Sequence, residues 1–246
     1  MTSIQPPLWR RAVAELLGTG LLVTIVVGSG IAAQQLSPND LGLQLLQNST
    51  ATVLGLTVLI LVLGPVSGAH FNPAVSLADW IMGRRSGTGL SLTELGTYVA
   101  AQTLGAVSGS VVANAMFDVG TSISTKERAT AGHLFGEVIA TAGLILLIFA
   151  LAATSRGALT APAVGAYIGA AYWFTSSTSF ANPAVTVGRI FSDTFAGIAP
   201  ASGPGFVVAQ LVGAAVGLGL LLILFPSAAR TADDVVLPRS SAAARS

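Results

Sequence analysis

The sequence Asn-Pro-Ala-Val occurs twice in this chain, at residues 72–75 and 182–185, each time after a long apolar stretch. Asparagine before proline is a strong helix start, because the side-chain oxygen accepts from a free backbone N–H and proline tolerates the first helical position. Each motif therefore predicts a short helix beginning at Asn72 or Asn182. A helix N-terminus carries partial positive charge and unpaired N–H groups. Two such ends brought together would form a donor-rich, positively polarised site.

The composition excludes most classes of soluble protein. Of the 246 residues, 52% are hydrophobic and 9% are charged, whereas soluble domains carry about 25% charged residues. The net charge of +1 argues against nucleic acid as a partner. The absence of cysteine excludes disulfides and thiol chemistry, and two isolated histidines do not form a metal site. We therefore expect an integral membrane protein with the lipid bilayer as a partner, and with no cofactor and no metal.

Apolar stretches long enough to span a bilayer, which takes about 20 residues, occur six times. Their approximate bounds are 12–33, 47–66, 91–115, 132–153, 158–178 and 204–225. The two segments that start at the Asn-Pro motifs are too short to span. We predict them to be re-entrant half-helices, which a membrane tolerates only where protein or a water-filled cavity surrounds them.

The cationic residues are distributed unevenly between the two sets of loops. With the N-terminus inside, the bias is eight to three in favour of the cytoplasmic side, which predicts that both termini are cytoplasmic. The inside set is Arg10, Arg11, Arg84, Arg85, Arg156, Arg230, Arg239 and Arg245, and the outside set is Lys126, Arg128 and Arg189. The expected location is the cell membrane, plasma or inner, in a multi-pass topology.

The two halves of the chain repeat each other in order. The matched pairs are Glu15 with Glu137, Asn72 with Asn182, and Gln102 with Gln210, each glutamine lying in a Val-x-Ala-Gln-x-x-Gly-Ala-x-x-Gly segment. Each half has three spans, an odd number, so the halves insert with opposite topology. Inverted repeats place a functional site at their interface near the membrane midplane. The predicted organisation is a cytoplasmic segment 1–9, a first repeat 10–118, an extracellular loop 119–131, a second repeat 132–226 and a flexible cytoplasmic segment 227–246.

Six spans, inverted halves and paired Asn-Pro-Ala half-helices resemble the aquaporin and glycerol-facilitator family over roughly residues 10–226. The resemblance implies an all-α membrane protein with six transmembrane helices plus two re-entrant half-helices. It also implies a homotetramer whose subunits each conduct water and small neutral solutes. The pore motifs would be Asn72, Pro73 and Ala74 with Asn182, Pro183 and Ala184, and both asparagine amides would point into the lumen.

The resemblance places the narrowest part of the pore at Thr52, Ala170, Ser179 and Val185. Most members of the family carry arginine where this chain has Val185, and aromatic residues at one or both of the first two positions. Their loss predicts a wider and less charged opening that passes glycerol, or metalloid hydroxides such as arsenous acid, as well as water. Arg189 is a candidate for the outer vestibule; the alternative is that it satisfies loop carbonyls or extends outward.

The polar residues within the spans have two interpretations. Glu15 and Glu137 would be proton carriers in a pump, whereas the resemblance makes them braces that accept backbone N–H groups of the re-entrant loops. Gln102 and Gln210 are interpreted as hydrogen-bonding partners within or between the halves. The resemblance places His70 at the cytoplasmic mouth of the pore, and a titrating gate is the alternative role for that imidazole.

Three classes of function remain open at this level. A passive channel is the first, and a secondary transporter is the second, because transporters also use inverted repeats, broken helices and buried carboxylates. Transport against a gradient, or transport coupled to sodium ions or protons, would distinguish the second from the first. A membrane enzyme is disfavoured, because the sequence offers no converging nucleophile, base or metal cluster. We therefore expect no enzymatic activity.

Overall fold

The structure, a computed structural model, describes residues 6–86 and 88–226, and across them the chain forms eight α-helices. The helices are α1 Leu8–Leu36, α2 Leu41–Ser67, α3 Pro73–Ser86, α4 Leu92–Met116, α5 Ala131–Ala153, α6 Thr160–Phe174, α7 Pro183–Gly188 and α8 Gly203–Leu224. Two 3-10 turns, Gly157–Leu159 and Arg189–Phe191, precede α6 and follow α7. Two sequence predictions fall partly outside the described residues. They are the flexible segment 227–246 and the cytoplasmic location of Arg230, Arg239 and Arg245, and the side chain of Arg85 is not described either.

Within residues 6–86 and 88–226, four helices are long and apolar enough to cross a membrane: α1, α2, α5 and α8. Of the other two predicted spans, α4 has 25 residues but a more polar composition. Its buried face carries Gln102, Ser110 and Asn114, which bond to other parts of the protein. The remaining span, α6, has only 15 residues.

The predicted end of the fifth span at residue 178 is wrong, because α6 ends at Phe174. Thr178 and Ser179 have φ angles of 61° and 48°, in the left-handed region that a helix does not continue through. These residues belong to the loop that leads back into the protein towards the second Asn-Pro motif.

Small residues allow the helices of each half to approach closely. In the first half α1 packs on α4, and in the second half α5 packs on α8. A Cβ atom added at Gly105 would lie 2.3 Å from the Leu16 carbonyl oxygen, and one added at Gly213 would lie 2.6 Å from the Val138 carbonyl oxygen. The glycines shared by the two repeated segments therefore serve the same purpose, since any side chain there would separate the backbones.

The two halves meet where α2 packs against α6 and where the short helices α3 and α7 contact each other. α7 also packs against α4, and α3 packs against both α4 and α8. The half-helices are therefore surrounded by protein, the condition under which irregular backbone is stable at membrane depth. The all-α class predicted from the sequence is confirmed for the described residues.

Candidate functional site

Both half-helices begin at the proline of their motif. Asn72 Oδ1 accepts from the backbone N–H of Ala74 at 2.9 Å. Asn182 Oδ1 accepts from the backbone N–H groups of Ala184 at 3.0 Å and Val185 at 3.3 Å. Each asparagine thus satisfies donors that the first helical turn leaves unpaired. The half-helices differ in length, since α3 has 14 residues and α7 has six before it tightens into the 3-10 turn.

The two motifs are joined by reciprocal hydrogen bonds. Asn72 Nδ2 donates to the Ala181 carbonyl oxygen at 2.7 Å, and Asn182 Nδ2 donates to the Phe71 carbonyl oxygen at 2.7 Å. An amide group has two N–H donors, so one N–H holds the opposite loop and the second is left for the cavity that both asparagines line. The N-termini of α3 and α7 therefore meet inside the protein with their partial positive charges close together.

The loops that enter the half-helices have left-handed residues at matching positions. In the first loop Ala69 and Phe71 have φ angles of 50° and 48°, and in the second Ser179 and Ala181 have φ angles of 48° and 49°. Such conformations cost non-glycine residues on the order of 1–3 kcal/mol each and persist only where surrounding contacts enforce them.

Glu15 supplies those contacts in the first half. Its carboxylate accepts from the backbone N–H groups of His70 at 3.0 Å and Phe71 at 2.7 Å. The Ser67 hydroxyl donates to the same carboxylate at 2.6 Å, and Glu15 is fully buried. Because a buried carboxylate needs donors on its oxygens, this arrangement stabilises both the loop and the charge.

Glu137 makes the equivalent contacts in the second half. It is fully buried and accepts from the backbone N–H groups of Phe180 and Ala181, both at 2.8 Å. The inverted repeat therefore places one carboxylate under each loop, as brace residues would be placed. Neither glutamate lines the cavity.

The two glutamines connect the carboxylates to the half-helices. Gln102 Nε2 donates to Glu15 at 2.7 Å and to the Ser76 hydroxyl of α3 at 2.9 Å. Likewise, Gln210 Nε2 donates to Glu137 at 2.7 Å and to the Thr186 hydroxyl of α7 at 2.9 Å. Both glutamines are fully buried and lie outside the cavity lining.

A cavity runs between the two halves and passes both motifs. Its walls are largely apolar side chains of α1, α2, α5 and α6. The polar residues in its lining are Thr52, His70, Asn72, Thr160, Tyr172, Ser179, Asn182 and Arg189. The end near Tyr172, which contacts Thr52, is here called the α7 end. Thr160 and Tyr172, both on α6, lie twelve residues apart, which corresponds to about 18 Å along a helix.

His70 is one of the residues that line this cavity. The imidazole Nδ1 lies 3.0 Å from the Ser76 hydroxyl, and the ring packs edge-on to Tyr98 with 5.4 Å between centroids. His70 is 6% exposed as a whole residue. Ser76 also accepts from Gln102, so the position of His70 depends on the Glu15 network.

Of the four constriction positions predicted from the sequence, Thr52, Ser179 and Val185 line the cavity. The prediction for Ala170 is wrong, because Ala170 is exposed on another face of α6. Ile168 and Tyr172, four residues apart and therefore on one helical face, line the cavity instead. The segment between Phe174 and Asn182 is an irregular loop, so distance along the sequence from the second motif does not fix which face of α6 meets the cavity.

Tyr172 is the functional candidate that the sequence reasoning missed. Its phenolic oxygen lies 3.2 Å from Thr52 Oγ1, across the contact between α2 and α6. The available signal was periodicity: Val164, Ile168 and Tyr172 recur every four residues and share the buried face of α6. A tyrosine at the end of such a face brings a polar tip to the cavity.

Arg189 also lines the cavity and is 2% exposed. Its guanidinium carbon lies 3.4 Å from the centre of the Phe180 ring, and its Nε donates to the Ala196 carbonyl. It therefore satisfies a loop carbonyl and faces the vestibule as well. The expectation of a less charged opening is wrong for this end of the cavity, because a guanidinium is present four residues beyond Val185. Likewise, Tyr172 supplies an aromatic ring that the sequence did not lead us to expect.

The segment between α4 and α5 brings two more cations to this end. Arg128 approaches the Phe180 ring at 5.4 Å and donates to the carbonyls of Gly197 at 2.7 Å and Phe195 at 3.0 Å. Lys126 Nζ donates to the Phe195 carbonyl at 2.9 Å. Partial burial, followed by the neighbouring charge of Arg128, lowers the pKa of Lys126 to about 8.

Comparisons with known proteins agree with this architecture. The family model described as Major intrinsic protein matches residues 2–181. Aquaglyceroporin AqpS of Rhizobium meliloti is 49% identical over 215 residues, covering 87% of this chain and 89% of that relative. Aquaporin-2 of Rattus norvegicus is 33% identical over 242 residues, covering 89% of this chain and 80% of the relative.

A solved structure shares the fold. The X-ray structure of the aquaglyceroporin from Plasmodium falciparum matches 90% of this chain and 99% of its own, with a TM-score of 0.67 and 22% sequence identity. Together with the sequence relatives, this match confirms the resemblance drawn from the paired motifs and the inverted repeat. The chain belongs to the major intrinsic protein family.

Proposed function

We propose that this chain is a passive transmembrane channel for water and small neutral solutes such as glycerol. The observation that carries the proposal is the cavity that passes both Asn-Pro-Ala motifs with an asparagine amide from each half on its wall. The relatives named aquaporin and aquaglyceroporin support the same function.

The mechanism follows from the donors at the centre of the cavity. A solute oxygen accepts from the second N–H of Asn72 or Asn182, while the first N–H of each amide remains bonded to the opposite loop. The partial positive charges of the α3 and α7 N-termini oppose the entry of cations at the same point. A neutral molecule exchanges hydrogen bonds with water for hydrogen bonds with the wall, and apolar side chains complete the lining.

We include metalloid hydroxides such as arsenous acid among the solutes, because they share with glycerol a neutral centre carrying several hydroxyl groups. The α7 end of the cavity presents the hydroxyls of Thr52, Tyr172 and Ser179. A solute with hydroxyls on more than one side would exchange hydrogen bonds with the Thr52 and Tyr172 hydroxyls there.

A coupled transporter is less compatible with the contacts of the two glutamates. A carboxylate that carries protons must exchange them with the lumen, yet Glu15 and Glu137 lie outside the cavity lining. Their oxygens are held by the loop N–H groups and by Gln102 and Gln210. We assign them a structural role as braces, and we propose no enzymatic activity.

The membrane arrangement is proposed on the same basis. The long apolar helices α1, α2, α5 and α8 and the family support a multi-pass membrane protein. We propose that both termini are cytoplasmic, that residues 10–118 and 132–226 are the two inverted repeats, and that four copies assemble with one pore in each subunit. The arginine distribution carries the orientation, and the family resemblance carries the assembly.

The test is stopped-flow light scattering on proteoliposomes with water, glycerol, urea and arsenous acid compared side by side. A pair of matched variants identifies the route. Val185→Trp fills the cavity and is expected to abolish flux. Val212→Trp, at a half-exposed position on α8, is expected to leave flux unchanged. A passive channel would be refuted if liposomes containing the wild-type protein were no more permeable than empty liposomes. Accumulation of solute against its gradient would refute it as well.

A further inference from the structure

Val185 and Arg189 line the same cavity and lie four residues apart, on α7 and at the start of the 3-10 turn that follows it. Four residues are about one helical turn, so the two side chains share a face. They are offset by about 6 Å along the axis. The α7 end of the cavity therefore has an apolar side chain at one level and a guanidinium at the next level outward from the motifs.

The backbone that carries Arg189 is held from several sides. The Ser110 hydroxyl of α4 donates to the Gly188 carbonyl at 2.7 Å, and Asn114 Nδ2 donates to the Phe191 carbonyl at 2.9 Å. A Cβ atom at Gly188 would lie 2.6 Å from the carbonyl oxygen of Ala106 in α4. The polar face of α4 thus fixes the backbone on both sides of Arg189.

The side chain is fixed as well. Its guanidinium stacks on the Phe180 ring, and its Nε donates to the Ala196 carbonyl of the loop that follows α7. The Phe180 ring is itself held edge-on against Phe206 with 5.0 Å between centroids. A planar guanidinium stacked on an aromatic ring and bonded to a carbonyl loses most of its freedom to move out of the lumen.

The charge of Arg189 has no acidic partner among residues 6–86 and 88–226, where Arg11 and Glu94 form the salt bridge that is present. Within the same described residues no salt bridge joins Glu137 to Arg189, and the Glu137 oxygens accept from Phe180, Ala181 and Gln210. Arginine keeps its proton in proteins. A fixed and unpaired positive charge beside a narrow passage raises the barrier for a cation and leaves a neutral solute nearly unaffected.

We infer that Arg189 is the residue that excludes cations from this pore, about one helical turn outward from Val185. The inference rests on the proposed channel function and adds to it the residue that decides ionic selectivity.

The test compares urea with guanidinium, two planar molecules of similar size that differ in charge, in the same proteoliposomes. Wild-type protein is expected to pass urea and to exclude guanidinium. In Arg189→Gln, guanidinium influx is expected to rise about tenfold or more, which corresponds to about 1.4 kcal/mol, with urea influx little changed. Arg189→Lys retains the charge and is expected to keep guanidinium out.

Two further variants control the interpretation. Arg128→Gln removes the second guanidinium group beside the Phe180 ring, and Arg128 does not line the cavity. This variant is expected to exclude guanidinium as the wild-type protein does. Arg189→His carries a positive charge at pH 5.5 and none at pH 8 if its pKa is near the ordinary value of about 6.5. Guanidinium is expected to pass through Arg189→His only at the higher pH. This comparison uses a single variant, so it does not depend on whether Arg189→Gln folds.

The outcomes separate the inference from the function on which it rests. One outcome is that Arg189→Gln, or Arg189→His at pH 8, passes urea and still excludes guanidinium. That result would overturn the role of Arg189 and leave the channel function intact. Wild-type protein that admits neither water nor urea above empty liposomes would overturn the channel function, and the inference with it.

Discussion

Thr52 Oγ1 on α2 lies 3.2 Å from the phenolic oxygen of Tyr172 on α6, and both side chains line the cavity. The two helices belong to different halves of the inverted repeat, so this contact brings the walls of the pore together at its α7 end. The pair presents two hydroxyls and one aromatic ring there. We therefore expect Tyr172, rather than Ala170, to limit the width of the pore at this end.

Replacing Tyr172 by alanine is expected to admit larger polyols, because it removes the ring that closes the wall opposite α2. Erythritol uptake by proteoliposomes should rise several-fold. Tyr172→Phe keeps the ring and is expected to retain the wild-type limit. Ala170→Phe adds a ring on the exposed face of α6 and should leave glycerol uptake unchanged. Reduced glycerol uptake in this variant would show that residue 170 lines the pore.

Val185→Arg is expected to slow glycerol while leaving water flow close to wild type. Val185 lines the cavity and is 5% exposed, so a longer side chain at this position has to occupy part of the passage. Water needs less width than a three-carbon polyol. Stopped-flow light scattering measures both rates on one sample, and unchanged glycerol uptake would show that Val185 does not limit solute size.

Glu15→Gln and Glu137→Gln are each expected to destabilise the protein. The substituted amide places an NH2 group where the carboxylate accepted backbone N–H groups of a strained loop. Since breaking a buried charged network costs about 3–5 kcal/mol, thermal denaturation in detergent should occur at a clearly lower temperature. The exposed Asp118→Asn serves as the control. Unchanged stability together with lost proton coupling would instead identify a proton carrier.

Lys126 is expected to lose its proton near pH 8. The chain has a single lysine. The pH dependence of the rate of amine-selective acylation therefore measures the pKa of Lys126, once the contribution of the N-terminal amine is subtracted. Burial is the main cause of the lowered pKa, and the charge of Arg128 is the second. Arg128→Gln should therefore move the midpoint upward.

The sign of the effect on stability follows from the same shift. The folded pKa is about 8 against an ordinary value of 10.5. Between these two pH values the unfolded chain binds more protons than the folded one, so this group makes the unfolding free energy rise with pH across the window. A midpoint near 10.5 in the folded protein would refute the lowered pKa.

The same lysine tests the proposed orientation. If both termini are cytoplasmic, the loop that contains Lys126 faces the outside, and a membrane-impermeant amine reagent should label it in intact cells. Lys126→Arg, which removes the amine and keeps the charge, is the control. Labelling that appears only after the membrane is permeabilised would reverse the orientation.

The sequence by itself determined the features that depend on local order and pairing. Asn-Pro predicts a helix start wherever it occurs. Each repeat has an odd number of spans, so the two halves are inverted and the two helix starts face each other. The structure places Asn72 and Asn182 in that arrangement. The matched glutamates and glutamines were recognisable for the same reason, since each occurs once per repeat at an equivalent position.

Only the tertiary structure decided which residues surround the passage at its α7 end. A membrane helix is apolar on the side that faces lipid as well as on the side that faces protein, so the periodic pattern that marks a buried face in soluble proteins is weak. The position of Tyr172 depends on the rotation of α6, and that of Arg189 depends on how α4 and the loop after α7 hold the 3-10 turn. These relationships join residues far apart in the chain, and packing alone brings them together.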